Sequence, residues 1–315
     1  MSSTPISSPV LPVNLDLVRK YDLPTPRYTS YPTAAQFREF ASPAPLLAHV
    51  DAANRDASLP LSLYYHLPFC ETLCWFCGCT TVITLNHQSS DAYLDYLEKE
   101  VALLAPRLHA DRRVVQLHYG GGTPTFFQAP QLRRLDALTR RHFQFAPGAE
   151  LSVEIDPRRL ARTQVAALRE GGFTRASLGV QDFNPKVQEA VHRIQPRALT
   201  EQAIDWLRAE GFTSLNLDLI YGLPFQTVAS FDRTLDDMLE LAPERFAVFS
   251  YAHVPWMKLA QKIVEARHLP TPETKLELLK LTIEKLTASG YVYIGMDHFA
   301  CPDDELAVAQ RAGTL

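Results

Sequence analysis

Cysteine is scarce in this 315-residue chain: there are five, and four of them fall within residues 70–79. A disulfide framework needs thiols spread through a short secreted domain, so this distribution excludes one. Neither sign of charge dominates, with 31 Lys and Arg against 35 Asp and Glu and a net charge of −4. Without a basic footprint, a nucleic-acid partner is not expected. No apolar run approaches the ~20 residues of a membrane span. The Ser/Pro-rich stretch 1–12 lacks the basic start and apolar core of a signal peptide. A cytoplasmic chain with no membrane partner is therefore expected, in a reducing compartment that suits free thiols. Also missing is a second cysteine pair downstream of the cluster, which a structural zinc site ordinarily takes. What the chain does have is 46% hydrophobic residues, ample for a core of one large α/β domain or two smaller ones.

The dense stretch is Cys70-Glu71-Thr72-Leu73-Cys74-Trp75-Phe76-Cys77-Gly78-Cys79, directly after the apolar run 61–67. Thiolates this close, on a loop leaving a strand, can turn toward one point and suit a soft metal or an iron–sulfur cluster. The spacing C-x3-C-x2-C supplies three ligands, Cys70, Cys74 and Cys77. In a four-iron cluster that leaves one iron open to a ligand from outside the protein.

From residue 61 short apolar strands alternate with helical segments. Strands are expected at 61–66, 114–119, 151–155, 176–180, 215–220 and 247–251, and helices at 93–104, 131–142, 163–170, 199–209 and 230–241. Glycines at 171–172 and 211 close two of the helices in the left-handed manner. This rhythm means βαβ units and a parallel sheet, here a partial barrel. A further helix at 274–288 ends before Gly290 and leads to a possible strand at 292–296. Residues 1–11 read as disordered. Residues 21–33, with four prolines and three tyrosines, read as an extended arm, either packed on the surface or facing substrate.

In such folds chemistry gathers at the carboxyl ends of the strands. There the chain places the cysteine loop, Gly120-Gly121-Gly122-Thr123-Pro124, Glu154 with Asp156, Gln181 with Asp182, Asp218, and Ala252-His253. Three successive glycines let backbone approach a ligand closely, though a tight strand-to-helix turn needs them too. Glu154 and Asp218 stand in apolar strands, where a carboxylate is tolerated mainly beside a partner or ligand. His66, His118, His253 and His298 lie near strand ends without H-x3-H spacing and read as structural histidines. Cys301 reads as a small packing residue rather than a ligand.

The cysteine loop, with Phe76 before its third cysteine, resembles the signature of the radical S-adenosylmethionine (SAM) superfamily. Together with the arm Pro26-Arg27-Tyr28-Thr29-Ser30-Tyr31-Pro32, the Gly-Gly-Gly-Thr-Pro turn, Glu154, and the stretches 179–183, 218–224 and 295–300, the chain from 21 to 315 resembles the oxygen-independent coproporphyrinogen III oxidases. That resemblance implies a partial (β/α)6 TIM-like barrel and a [4Fe-4S] cluster on Cys70, Cys74 and Cys77. The cluster would reduce a chelated SAM to a 5′-deoxyadenosyl radical. The radical would take a hydrogen from a propionate β-carbon of coproporphyrinogen III, and loss of an electron and CO2 would leave a vinyl group. Two such conversions give protoporphyrinogen IX. The cofactors carry the difficult chemistry, so no protein acid or base is named.

The resemblance also implies two SAM molecules. Tyr64, Phe76, Gly121 and Glu154 match the residues around the cluster-bound one, and Gly122, Thr123, Gln181, Arg193, Asp218 and Ala252 those around the second. An unidentified reductant for the cluster is implied, and a monomer is expected. The layout expected is a tail and arm over 1–60, a radical SAM core over 61–300, and over 301–315 the start of a C-terminal helical region whose remainder is absent. Two alternatives stay open at this point. One is a haem chaperone of the same superfamily without decarboxylase activity, against which Cys79 and the arm stand; the other is a zinc-stabilised binding module.

Overall fold

In a computed structural model of the chain, residues 10–21, 33 and 36–315 are described. Most of the stretch expected to be disordered, 1–9, and most of the proline–tyrosine arm, 22–32, lie outside the described residues.

Strands β1 (Leu61–Leu67), β2 (Val114–Gly121), β3 (Phe145–Ile155), β4 (Arg175–Gln181), β5 (Ser214–Tyr221) and β6 (Arg245–Ser250) lie side by side in chain order, every pair parallel. Helices α1 (Leu15–Tyr21) and α2 (Ala44–Ala53) precede the sheet. The crossovers are α3 (Ser89–Leu104), α4 (Ala129–His142), α5 (Arg162–Glu170), the pair α6 (Pro185–Ala190) and α7 (Arg197–Ala209), and α8 (Val228–Glu240). This is the expected partial (β/α)6 barrel. After α9 (Pro272–Ala288), β7 (Val292–Gly295) and β8 (His298–Ala300) extend the sheet, β8 antiparallel to both β6 and β7, and α10 (Glu305–Ala312) follows. Among the described residues no helix is long and apolar enough to cross a membrane.

The strands alternate in a way that defines the two faces. Leu215, Leu217 and Leu219 of β5 are buried against helices, as are Ala176, Leu178 and Val180 of β4 and Leu151, Val153 and Ile155 of β3. The intervening residues turn to the inner, concave face. Phe127, Phe173, Phe231 and Phe246 are among the side chains fully buried in the core between sheet and helices. Burial of each contributes roughly 1.5–3 kcal/mol.

The helices begin about two residues earlier than apolar periodicity suggests, because their first turns are polar or carry Pro: α4 opens on Ala129-Pro130 and α9 on Pro272. Gly172, Gly211 and Gly290 take positive φ after α5, α7 and α9, as expected of left-handed helix ends. β3 runs six residues further toward its start than the expected 151–155, through Pro147 and Gly148, where its pairing with β2 slips register.

Candidate active site

β1 ends at Leu67, and the chain turns at once into the cysteine loop. Backbone bonds fix that turn: Gly122 donates its N–H to Leu67 O and Thr123 to Phe69 O, both at 2.9 Å. A Cβ on Gly122 would lie 2.6 Å from the carbonyl oxygens of both Pro68 and Phe69, so only glycine lets β2 pass this close to the root of the loop. Gly121 has φ +120° and donates its N–H to Glu154 Oε2 at 3.0 Å. The glycine turn thus joins the cysteine loop to the end of β3.

The loop is held at several further points. Trp75 donates its N–H to Val191 O (3.0 Å) and stacks on His192, whose Nδ1 lies 2.9 Å from Leu73 O. Gln261 Nε2 donates to Phe76 O (3.0 Å) and Lys258 Nζ to Cys79 O (3.1 Å). Glu71 lies between His87 and Arg159, at 3.3 and 3.2 Å. Cys74 is buried, Cys70 and Cys77 are half-buried, and Cys79 is exposed. Burial beside the other thiols pushes the Cys70 thiol up to about 12, whereas the bond from Cys79 pulls the Cys77 thiol down.

The loop closes one side of a cavity of about 430 Å³ in the barrel's concave face. Cys70, Cys74, Cys77, Phe76, Gly121, Gly122, Glu154, Gln181, Arg193 and Asp218 all border it. Three other expected residues do not. Tyr64 lies beside it, its hydroxyl donating to His66 Nδ1 (3.1 Å), since His66 Nε2 carries the hydrogen given to Thr80 O (2.9 Å). Thr123 borders an adjoining cavity of about 270 Å³ and accepts the N–H of Asp156 at 3.2 Å. Ala252 is exposed just beyond β6. Asp182 is buried beneath the sheet end, accepting from Gln226 Nε2 (2.6 Å), Thr234 Oγ1 (2.9 Å) and the Asn184 N–H (2.7 Å), a structural role.

Ser177, Asn216 and Arg158, none of which the sequence alone singles out, also border the cavity. Ser177 Oγ donates to the Asp218 carboxylate (3.0 and 3.1 Å), and Asn216 Nδ2 lies 2.7 Å from Asp218 Oδ1. Burial pushes the Asp218 carboxyl up to about 7. His118 spans Ser152 Oγ (2.7 Å) and Glu154 Oε1 (3.3 Å), and Arg158 reaches Cys74 Sγ at 3.4 Å. The readable signal for Asn216 was parity, two residues before Asp218 on the same face. Each of the four strand-end histidines has a protein partner: His253 meets Tyr251 Oη (3.0 Å) and His298 meets Met296 O (2.7 Å). Cys301 Sγ is 3.8 Å from Pro243 O, away from the cavity.

Three buried polar atoms of residues bordering this cavity have no hydrogen-bond partner among the described residues: Gln181 Oε1, Arg193 Nε and Asn216 Oδ1. Buried groups of this kind call for a polar ligand. Among the described residues no three His, Cys, Asp or Glu side chains stand close enough to hold a single metal ion. Thiolates bound to different irons of a cluster stand farther apart than those around one ion. The donor set, three thiols and a backbone cradle beside unsatisfied polar atoms, fits a cluster and a polar organic ligand.

A parallel partial barrel with three thiols at the carboxyl end of its first strand defines a cluster-binding catalytic core. The family model for the radical SAM superfamily matches residues 64–238. The oxygen-independent coproporphyrinogen III oxidase of Escherichia coli (strain K12) is 50% identical over 302 residues, covering 96% of this chain and 65% of that protein. Its namesake in Synechocystis is 46% identical, covering 98% and 66%. A solved structure of the Escherichia coli coproporphyrinogen III oxidase, described as a radical SAM enzyme, superposes with a TM-score of 0.88 at 50% identity over 95% of this chain and 67% of that one. The chain belongs to the radical SAM superfamily and, within it, to the family of the oxygen-independent coproporphyrinogen III oxidases. It spans about two thirds of the length of these relatives.

Proposed function

We propose that this chain carries the catalytic core for converting two propionates of coproporphyrinogen III to vinyl groups without oxygen, giving protoporphyrinogen IX. The observation that carries the reading is the meeting of Cys70, Cys74 and Cys77 with Glu154, Arg193 and Asp218 around one cavity. Identity of 50% to a relative of that name supports the substrate. When bound, cluster and SAM would supply an electron and a hydrogen-abstracting radical; each propionate would lose one hydrogen atom to that radical, one electron to a separate one-electron acceptor, and CO2.

The chain's own residues bind, orient and shield. Cys70, Cys74 and Cys77 would hold the cluster and leave a position on it open to SAM. Gly121 and Glu154, already bonded to one another, face that position, with Phe76 on the loop and Tyr64 beside it. Arg193, Gln181 and Asp218 offer unsatisfied or charged groups to a second SAM, with Gly122, Thr123 and Ala252 at its periphery. The β-sheet wall and the cysteine loop keep bulk water from the reacting centre. The core comprises residues 61–300, with 1–60 preceding it and 301–315 leading onward. It works as a cytoplasmic monomer served by a separate reductant.

The test is anaerobic incubation of the iron-loaded chain with SAM, a reductant and coproporphyrinogen III. Vinyl-bearing products with matching CO2 are expected. SAM cleavage without any vinyl product, in the presence of substrate, would overturn the assignment of substrate.

A further inference from the structure

The potential at which an iron–sulfur cluster accepts an electron depends on burial, nearby charge and hydrogen bonds to its sulfurs. The three thiols are not equal in this respect. Cys74, the buried one, is reached by two guanidinium groups: Arg158 Nη2 at 3.4 Å and Arg193 Nη1 at 3.5 Å from Sγ. Cys77 Sγ is bonded by neutral Cys79, whose N–H stands at 3.4 Å, and no guanidinium donates to it among the described residues.

Both arginines are held by one carboxylate. Asp156 receives Nε and Nη2 of Arg158 at 3.0 and 2.6 Å, the Arg158 N–H at 3.0 Å, and Arg193 Nη1 at 3.3 Å. Its own N–H is fixed on Thr123 Oγ1, next to the glycine turn. Asp156 and Arg158 are each less than 15% exposed in their side chains, so their charges are poorly screened. Arg158 thus has a fixed fork and one direction to point in, the sulfur of Cys74.

We propose that Arg158, positioned by Asp156, tunes the reduction potential of the cluster through Cys74. A cation donating to the thiolate sulfur stabilises the form with the extra electron. The anion of Asp156 acts in the opposite sense on the cluster while orienting the cation. Arg158 is a positioning and tuning residue, since it touches a cluster ligand and no reacting carbon. This rests on the cluster binding proposed above.

The test is an anaerobic redox titration of the reconstituted chain, following the reduced cluster by electron paramagnetic resonance. For Arg158→Gln the reduction equilibrium should fall by on the order of tenfold, a charge-assisted bond being lost. For a one-electron couple that is a potential about 59 mV more negative. Arg158→Lys keeps the charge but not the fork and should move the potential the same way by less. Asp156→Asn should move it in the positive direction. Arg133→Gln, on the outer helix α4 and paired with Glu170, should leave it in place.

Opposite shifts for Arg158→Gln and Asp156→Asn support the proposal, because a merely loosened site would move both alike. A wild-type potential in Arg158→Gln overturns it, as does a shift of the same sign in both variants. If Arg158→Gln loses its iron, Arg158→Lys decides, and an unmoved potential there overturns the proposal too. Absence of a cluster from the unaltered chain would instead defeat the functional assignment.

Discussion

Gly122 sits where the cysteine loop leaves the sheet, and Gly122→Ala is the smallest change that tests whether that junction governs the cluster. The new Cβ would meet Pro68 O and Phe69 O at 2.6 Å and Pro68 C at 2.7 Å, all backbone atoms with no rotamer to change. Relief requires Pro68 and Phe69 to move by nearly an ångström, and Cys70 is the next residue. Overpacking of this kind costs about 1–3 kcal/mol. Loss of the bonds from Gly122 to Leu67 O or from Thr123 to Phe69 O adds about 1 kcal/mol. The sum, about 3 kcal/mol, should lower the midpoint of thermal unfolding of a 315-residue chain by roughly 4–5 °C, at about 2.1 cal/mol/K of unfolding entropy per residue. Gly148→Ala is the control, for Gly148 has φ +75° but nothing within 4 Å of its Cβ position. It should lose only the left-handed backbone term, about 1–2 kcal/mol. Both are measured on the iron-free chain, so that cluster loss does not enter the unfolding. Iron uptake is then compared, and Gly122→Ala should retain less. A Gly122→Ala midpoint at or above that of Gly148→Ala would refute the reasoning.

Cys70→Ser, Cys74→Ser and Cys77→Ser should each abolish the cluster and SAM cleavage, whereas Cys79→Ser should keep the brown cluster and impair only the reaction; equal iron loss in all four would make Cys79 a ligand. Gly121→Val should weaken SAM binding while the cluster stays, because φ +120° excludes a branched residue and its Cβ would lie 2.9 Å from His66 Cε1; unchanged SAM affinity in equilibrium dialysis would remove the turn from the site. Asp218, raised to about 7 by burial, holds a proton in the folded chain that the unfolded chain releases from about pH 4. Its contribution to stability is therefore full below the usual carboxylate range and is lost as pH rises toward and through 7. Asp218→Asn should remove that decline, seen as a smaller fall in urea midpoint between pH 5 and pH 8; an unchanged fall would assign it to another group.

Much of the architecture could be read because parallel strands buried against helices write their parity into the chain. Leu215, Leu217 and Leu219 mark the outer face of β5, so Asn216 and Asp218 must face inward. Which inward residues meet was not readable, because that depends on register between distant strands. Glu154 opposes Ser177, and Ser177 opposes Asn216, through ladders the chain does not encode locally. Arg158 is the sharpest case: its sulfur partner lies 84 residues earlier, and nothing about an arginine after Asp-Pro announces it. The helix α6 escaped because six residues carry too few apolar positions for a period. β8 escaped because its three residues are a strand only through antiparallel pairing with β6 and β7. The strand rhythm put Ala252 and Thr123 at strand ends, their ligand roles came by resemblance alone, and the geometry sets them at the margin of the cavity or beyond it.

The charges in and around the cavity say how two different ligands would share it. Glu154 and Asp218 lie on its β-sheet floor, while Arg158 and Arg193 stand near the cysteine loop, bound to Asp156. A ligand with both ammonium or sulfonium and carboxylate groups satisfies such a floor and rim together, since each of its charges finds the opposite sign within the low-dielectric wall. A tetrapyrrole carrying four carboxylates does not, because the Glu154 carboxylate on the floor repels it. On the proposed function, the zwitterion therefore occupies the floor beside the cluster, and the tetrapyrrole presents one propionate at a time from the mouth. The two decarboxylations then require the substrate to turn over or rebind between them, so a mono-vinyl intermediate should be released and detectable at short times.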